Sequence, residues 1–219
     1  MHQPQYRDPG TGSYLLPWTR LHALKDYWGM VKILGEFPGV HATYNFVPLL
    51  AAQIEEYASG KFREPWFELA FAAADSLKSE QKREILSRAF QVNENYVQRW
   101  PRFAELQARV SAGGTEACAA QFDPRDWRDL QLLSQLAWMD EEYIAKDPVV
   151  NGLATKGENY SEADKNALRE GPAPISTMWA NSVPSMNRKA APSTSVKAAN
   201  IKKRAGCRRS ADNAPSPQV

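Results

Sequence analysis

The apolar positions between Pro17 and Glu36 fall at Leu21, Leu24, Trp28 and Val31, a three-and-four spacing that predicts a helix with one buried face. Phe37-Pro38-Gly39 ends it, because proline biases its predecessor away from helix and glycine accepts the turn. The next run, Val40 to Val47, is rich in β-branched and aromatic residues on both faces and reads as a buried strand of the parallel kind. Pro48 then suits the opening of a helix over Leu49 to Tyr57. Upstream, residues 3–16 are polar and turn-rich, with Asp8-Pro9-Gly10 and Thr11-Gly12-Ser13 as turn signals.

After a linker over Ala58 to Pro65, the pattern is helical throughout. The spacing predicts helices over Trp66 to Ala74 and over Ser79 to Gln98, with Ser79 as N-cap. Pro101 opens another, which Gly113-Gly114 should end. Asp123-Pro124 begins the strongest, reaching Lys146, and its apolar set is broad enough to be buried on most sides. Asp147-Pro148 breaks it. Ser161-Glu162-Ala163-Asp164 resembles a capping box and predicts a helix past Leu168. Periodicity stops at Gly171-Pro172-Ala173-Pro174.

A strand needs neighbours, and no second convincing strand pattern follows Val47. Buried backbone groups left unpaired are costly. The partners of Val40 to Val47 are therefore expected outside this chain, as part of a larger fold.

The net charge of +2 conceals a split. Residues 171–219 carry eight Lys and Arg against the single acid Asp212, so a basic tail follows an acidic body. With six prolines and little apolar surface, the tail is expected to be disordered. Its abrupt start also fits an out-of-frame continuation of the gene, which the coding DNA would test. The two cysteines, Cys118 and Cys207, argue for a reducing compartment rather than a disulfide framework. No secretory signal and no bilayer-length apolar run is visible, so the cytoplasm is the expected location. The three histidines and two cysteines are dispersed, with no metal-ligand spacing.

Several stretches, in order, resemble glycoside hydrolase family 57, over residues 2 to about 165. They are His2-Gln3-Pro4, Leu16-Pro17-Trp18-Thr19-Arg20-Leu21-His22, Val40 to Pro48, Asp126-Trp127-Arg128-Asp129-Leu130-Gln131 and Leu136-Ala137-Trp138-Met139-Asp140-Glu141-Glu142. The resemblance implies an α-glucan enzyme, either a hydrolase such as an α-amylase or a 4-α-glucanotransferase. It implies a chain that is mostly α within a parent α/β fold, an incomplete (β/α)7 barrel. Residues 1–57 would be a barrel fragment, residues 58–170 a helical insertion, and residues 171–219 the tail. The triplet resembles the motif at the end of the first barrel strand, and Met1 stands where that strand should finish.

The resemblance places His2 beside the bound sugar, where a neutral imidazole offers a donor and an acceptor to a hydroxyl pair. Trp18 is the second substrate-binding candidate. Its ring face suits stacking on a sugar, against the plainer reading of helix-entry packing. His22, His41 and Asn45 weigh less, the last two sharing one face of the expected strand. Retaining glycosidases hold two carboxyls ~5–5.5 Å apart. The family's Glu nucleophile and Asp acid/base have no corresponding position here, so no catalytic residue is assigned and the chain alone is expected to be inactive. Asp126, Asp129, Asp140, Glu141 and Glu142 read as caps and solvated faces. No cofactor is implied. The expected partners are an α-glucan or maltooligosaccharide in the intact enzyme and the missing barrel part, with no membrane. The rival reading is a helical module whose Lys197 to Arg209 segment contacts nucleic acid phosphates; it lacks interleaved aromatics and a reading motif.

Overall fold

Proline and capping side chains set most of the element boundaries. The computed structural model describes residues 3–45 and 47–170. His2 and the tail, and the expectations placed on them, lie outside the described residues. In order come α1 (Trp18–Ala23), α2 (Asp26–Gly35), α3 (Pro48–Ala58), α4 (Pro65–Ala70) and a 3-10 turn (Ala74–Ser76). They are followed by α5 (Ser79–Arg88), α6 (Glu94–Val97), α7 (Pro101–Gln121), α8 (Pro124–Leu136), α9 (Glu141–Lys146), α10 (Pro148–Lys156) and α11 (Glu162–Glu170). Proline stands at the start of α3, α4, α7, α8 and α10, where a missing N–H costs nothing. The described chain is mostly helical.

The expected buried strand at Val40–Val47 does not form. Residues 40–45 carry no secondary structure and are exposed, Val40 at 55%. The β-propensity of the run is real, but no neighbouring strand exists among the described residues to complete a ladder, so its face stays in solvent. Among the described residues the one β-pairing is an isolated antiparallel bridge between Arg7 and Tyr14 in the first loop.

Long helices read from periodicity are cut by local competitors. Pro17 to Glu36 divides at Lys25, whose φ of −146° leaves the helical region, and the Leu24 carbonyl accepts the Asp140 N–H at 3.0 Å. Ser79 to Gln98 divides because the Asn93 side chain caps α6 through the Asn95 N–H. Ser79 is the first helical residue rather than the cap, and Gln81 reaches back to the Lys78 N–H. Asp123 to Lys146 divides where Asp140 accepts from the Glu142 and Tyr143 N–H groups. Trp66 to Ala74 shortens to α4. Gly114 breaks α7 at φ 78°, as its sequence suggests, but helix resumes beyond it and runs to Gln121. Asp147-Pro148 ends one helix and caps the next. The Ser161–Asp164 capping box forms as read.

Two apolar clusters result. The larger lies within residues 66–168 and centres on Phe103, Leu106, Trp127, Leu130 and Leu133. The smaller joins Tyr14, Leu21, Leu24, Leu50, Ile54 and Tyr57, with Trp138 packed against it. A buried polar link crosses between them. Arg20 donates Nε and Nη2 to the Glu64 carboxylate and Nη1 to Gln135 Oε1, while the Tyr57 hydroxyl donates to Glu64 at 2.8 Å. Among the described residues no helix is long and apolar enough to cross a membrane.

Candidate functional site

The first loop is shaped by its own turn residues. Asp8 accepts from the Gly10 and Thr11 N–H groups and from the Thr11 hydroxyl, and Gly12 takes a φ of 70° that disfavours a side chain. Gln53 of α3 fastens the loop to the helices. Its Nε2 donates to the Pro4 carbonyl at 3.2 Å, and its Oε1 accepts from the Tyr6 N–H and the Thr19 hydroxyl. The Tyr6 hydroxyl in turn donates to Gln3 Oε1 at 2.7 Å. Gln3 of the His2-Gln3-Pro4 triplet is thereby placed.

Next to it, a patch of half-buried rings assembles from distant parts of the sequence. Trp18 lies 6.1 Å from Trp138 and 6.4 Å from His22, centroid to centroid. His22 lies 5.5 Å from Trp138, nearly perpendicular, and 6.0 Å from Tyr27. His22 Nδ1 is paired with Asp26 Oδ2. Trp138 arrives from the break between α8 and α9, held by the Asp140-to-Leu24 backbone bond and by the Lys32–Glu142 ion pair. Burial raises the Tyr27 phenol above its ordinary value; Gln3 is close enough to ease that shift. The Tyr27 hydroxyl is shut off from solvent and makes no hydrogen bond of ordinary geometry among the described residues. Burial likewise raises Tyr6.

The sequence candidates divide. Trp18 sits in this patch, partly covered by Trp138. His41 and Asn45 fall on the exposed segment away from any strand face. His22, given little weight from sequence, is at the centre of the patch. Tyr27, Asp26 and Trp138 were missed, although the four-residue spacing of His22 and Asp26 was a usable signal.

The acids of the resembling stretches are structural. Asp126 caps α8 with Asp123 and accepts from Arg102 and Arg109. Its burial would raise its pKa, but the two guanidiniums outweigh that and hold it below the ordinary range. Asp129 was expected on a solvated face; it is fully buried, accepting from Arg102 Nε and the Tyr160 N–H. Glu141 pairs with Arg99, and Glu142 with Lys32 and Lys146. Among the described residues, no group of His, Cys, Asp and Glu side chains could hold a metal ion.

Residues 1–166 match the family model described as Glycosyl hydrolase family 57. No curated protein and no solved structure matches the chain. The match spans more than half of the sequence and contains the triplet, the ring patch, the smaller apolar cluster and all of the larger one but Leu168: this chain belongs to glycosyl hydrolase family 57.

Proposed function

We propose that the chain is the N-terminal part of a retaining hydrolase or glucanotransferase acting on α-glucans, in which it binds sugar but supplies no catalytic carboxylate. The observation that carries this reading is the family match over residues 1–166. In the intact enzyme the parent fold is the incomplete (β/α)7 barrel, and Val40–Val47 becomes a strand when its neighbours are present. The exposure of Val40 and Tyr44 here supports that reading, because a β-prone run with unpaired edges gains most from a partner strand. His2 and Trp18 are the substrate-binding candidates, and α-glucans or maltooligosaccharides the ligands. Two carboxylates suffice for the chemistry, so no cofactor is needed. Sparse cysteine use supports the cytoplasm as its location.

The purified chain, incubated with amylose or maltoheptaose, is expected to release no sugar. Turnover that follows the protein through purification would overturn the assignment of the carboxylate pair to other residues. The companion test is co-expression with a polypeptide that carries the missing barrel part, whether from the same gene or a neighbouring one, where α-glucan turnover is expected; its absence with a folded complex would count against the α-glucan reading.

A further inference from the structure

Packing aromatics are ordinarily buried, yet Trp18, His22, Tyr27 and Trp138 are all only half-buried, and His22 keeps 32% of its side chain exposed. One polar atom in the patch is left without a partner among the described residues: His22 Nε2, since the pairing to Asp26 uses Nδ1. The His22 and Trp138 rings meet at 84°, forming a right-angled corner with Tyr27 on its His22 side.

We propose that this corner binds a pyranose ring: the sugar rests on an indole face and gives a hydroxyl to His22 Nε2. The chemistry fits each group. Indoles stack on the apolar face of a sugar, and a hydroxyl both donates and accepts, so it satisfies either protonation state of the imidazole. Asp26 acts as a positioning residue. Its bond to Nδ1 fixes the ring orientation and leaves Nε2 as the atom offered to ligand. Trp138 comes from the helical insertion, so that insertion completes a sugar contact begun by α1 and the first loop. The inference rests on the α-glucan reading for the kind of sugar, though not for the corner itself.

The test measures binding of maltoheptaose and of cellohexaose to the full chain by calorimetry, for the unsubstituted protein and for His22→Phe and Asp26→Asn. His22→Phe keeps the ring packing and removes the hydrogen bond. It is expected to weaken maltoheptaose binding about tenfold, the worth of one such bond, with an unchanged melting temperature. Asp26→Asn, which still accepts from Nδ1–H, is expected to retain most of the affinity. Peptide mapping after N-bromosuccinimide treatment of the unsubstituted chain should show Trp138 protected by maltoheptaose, a readout that needs no variant to fold. Maltoheptaose binding that is indifferent to His22→Phe and leaves Trp138 unprotected would overturn the corner while leaving the α-glucan reading intact. Cellohexaose binding alone, lost in His22→Phe, would keep the corner and overturn that reading. No binding of either sugar would overturn the proposal.

Discussion

Removing the Glu64 carboxylate breaks the buried polar link between the two apolar clusters. The Arg20 and Glu64 side chains are 4% and 1% exposed, with Nη2 and Oε1 2.7 Å apart. Every polar atom around them is engaged, by Gln135 on one side and the Tyr57 hydroxyl on the other. The Arg20 guanidinium also lies 5.1 Å from the Phe67 ring centre. Glu64→Gln leaves a buried guanidinium without its counter-charge, a loss of about 3–5 kcal/mol for a pair of this burial. At a urea dependence of ~2 kcal/mol per molar, the midpoint falls by roughly 2 M. The double substitution Arg20→Met with Glu64→Leu removes both charges, and its cost is expected to be much smaller than that of either single change. Urea melts of the unsubstituted chain, Arg20→Met, Glu64→Leu and the double variant close the cycle, with Glu64→Gln measured beside them. A Glu64→Gln loss below about 1 kcal/mol, the range of solvated pairs, would refute the claim that this link is desolvated. A double variant as unstable as the singles would refute the claim that the unpaired charge, rather than packing, carries the penalty.

Other expectations follow from single positions. Gly114→Ala, at φ 78° with open space around it, should cost about 1 kcal/mol of stability from backbone strain alone, with Gly113→Ala as the milder neighbouring control in thermal melts. Ser161→Ala removes one arm of the α11 capping box and should cost about 1 kcal/mol, read by the same melts. Burial, reinforced by Glu64, raises the Tyr57 phenol far above its ordinary 10.0, so the unfolded chain ionises first and stability should fall as pH rises past 10; Tyr57→Phe should flatten that decline in urea melts from pH 9 to 11. At the acid end, Asp126 is held below 3.8 against its burial by Arg109 and Arg102, so its stabilisation is complete above that value and lost as pH falls through the lowered pKa; Asp126→Asn should be less stable at pH 6 and show a shallower acid transition.

What could be read in advance was local. Pro48, Pro101 and Pro124 marked helix starts, and Ser161 with Asp164 announced α11, because a cap is a bond between residues three apart. Breaks within periodic runs escaped, since Asn93 and Asp140 look like surface polar residues until their side chains turn onto backbone N–H groups. The strand expected at Val40–Val47 stays unformed in this chain for the opposite reason. Val40–Val47 has the propensity, but a strand is a property of pairs, and propensity supplies no partner.

The sequence alone determined the family, the helical character of residues 48–170 and the split between acidic body and basic tail, because each is written in neighbouring residues. Tertiary structure decided the rest. It joined Arg20 to Glu64 and Gln135, buried Asp129 against Arg102, and brought Trp138 to His22. These contacts join residues tens to more than a hundred positions apart. No periodicity encodes such a meeting; it follows only from how the helices pack, and packing selects which charges are paired and which rings stay open to a ligand.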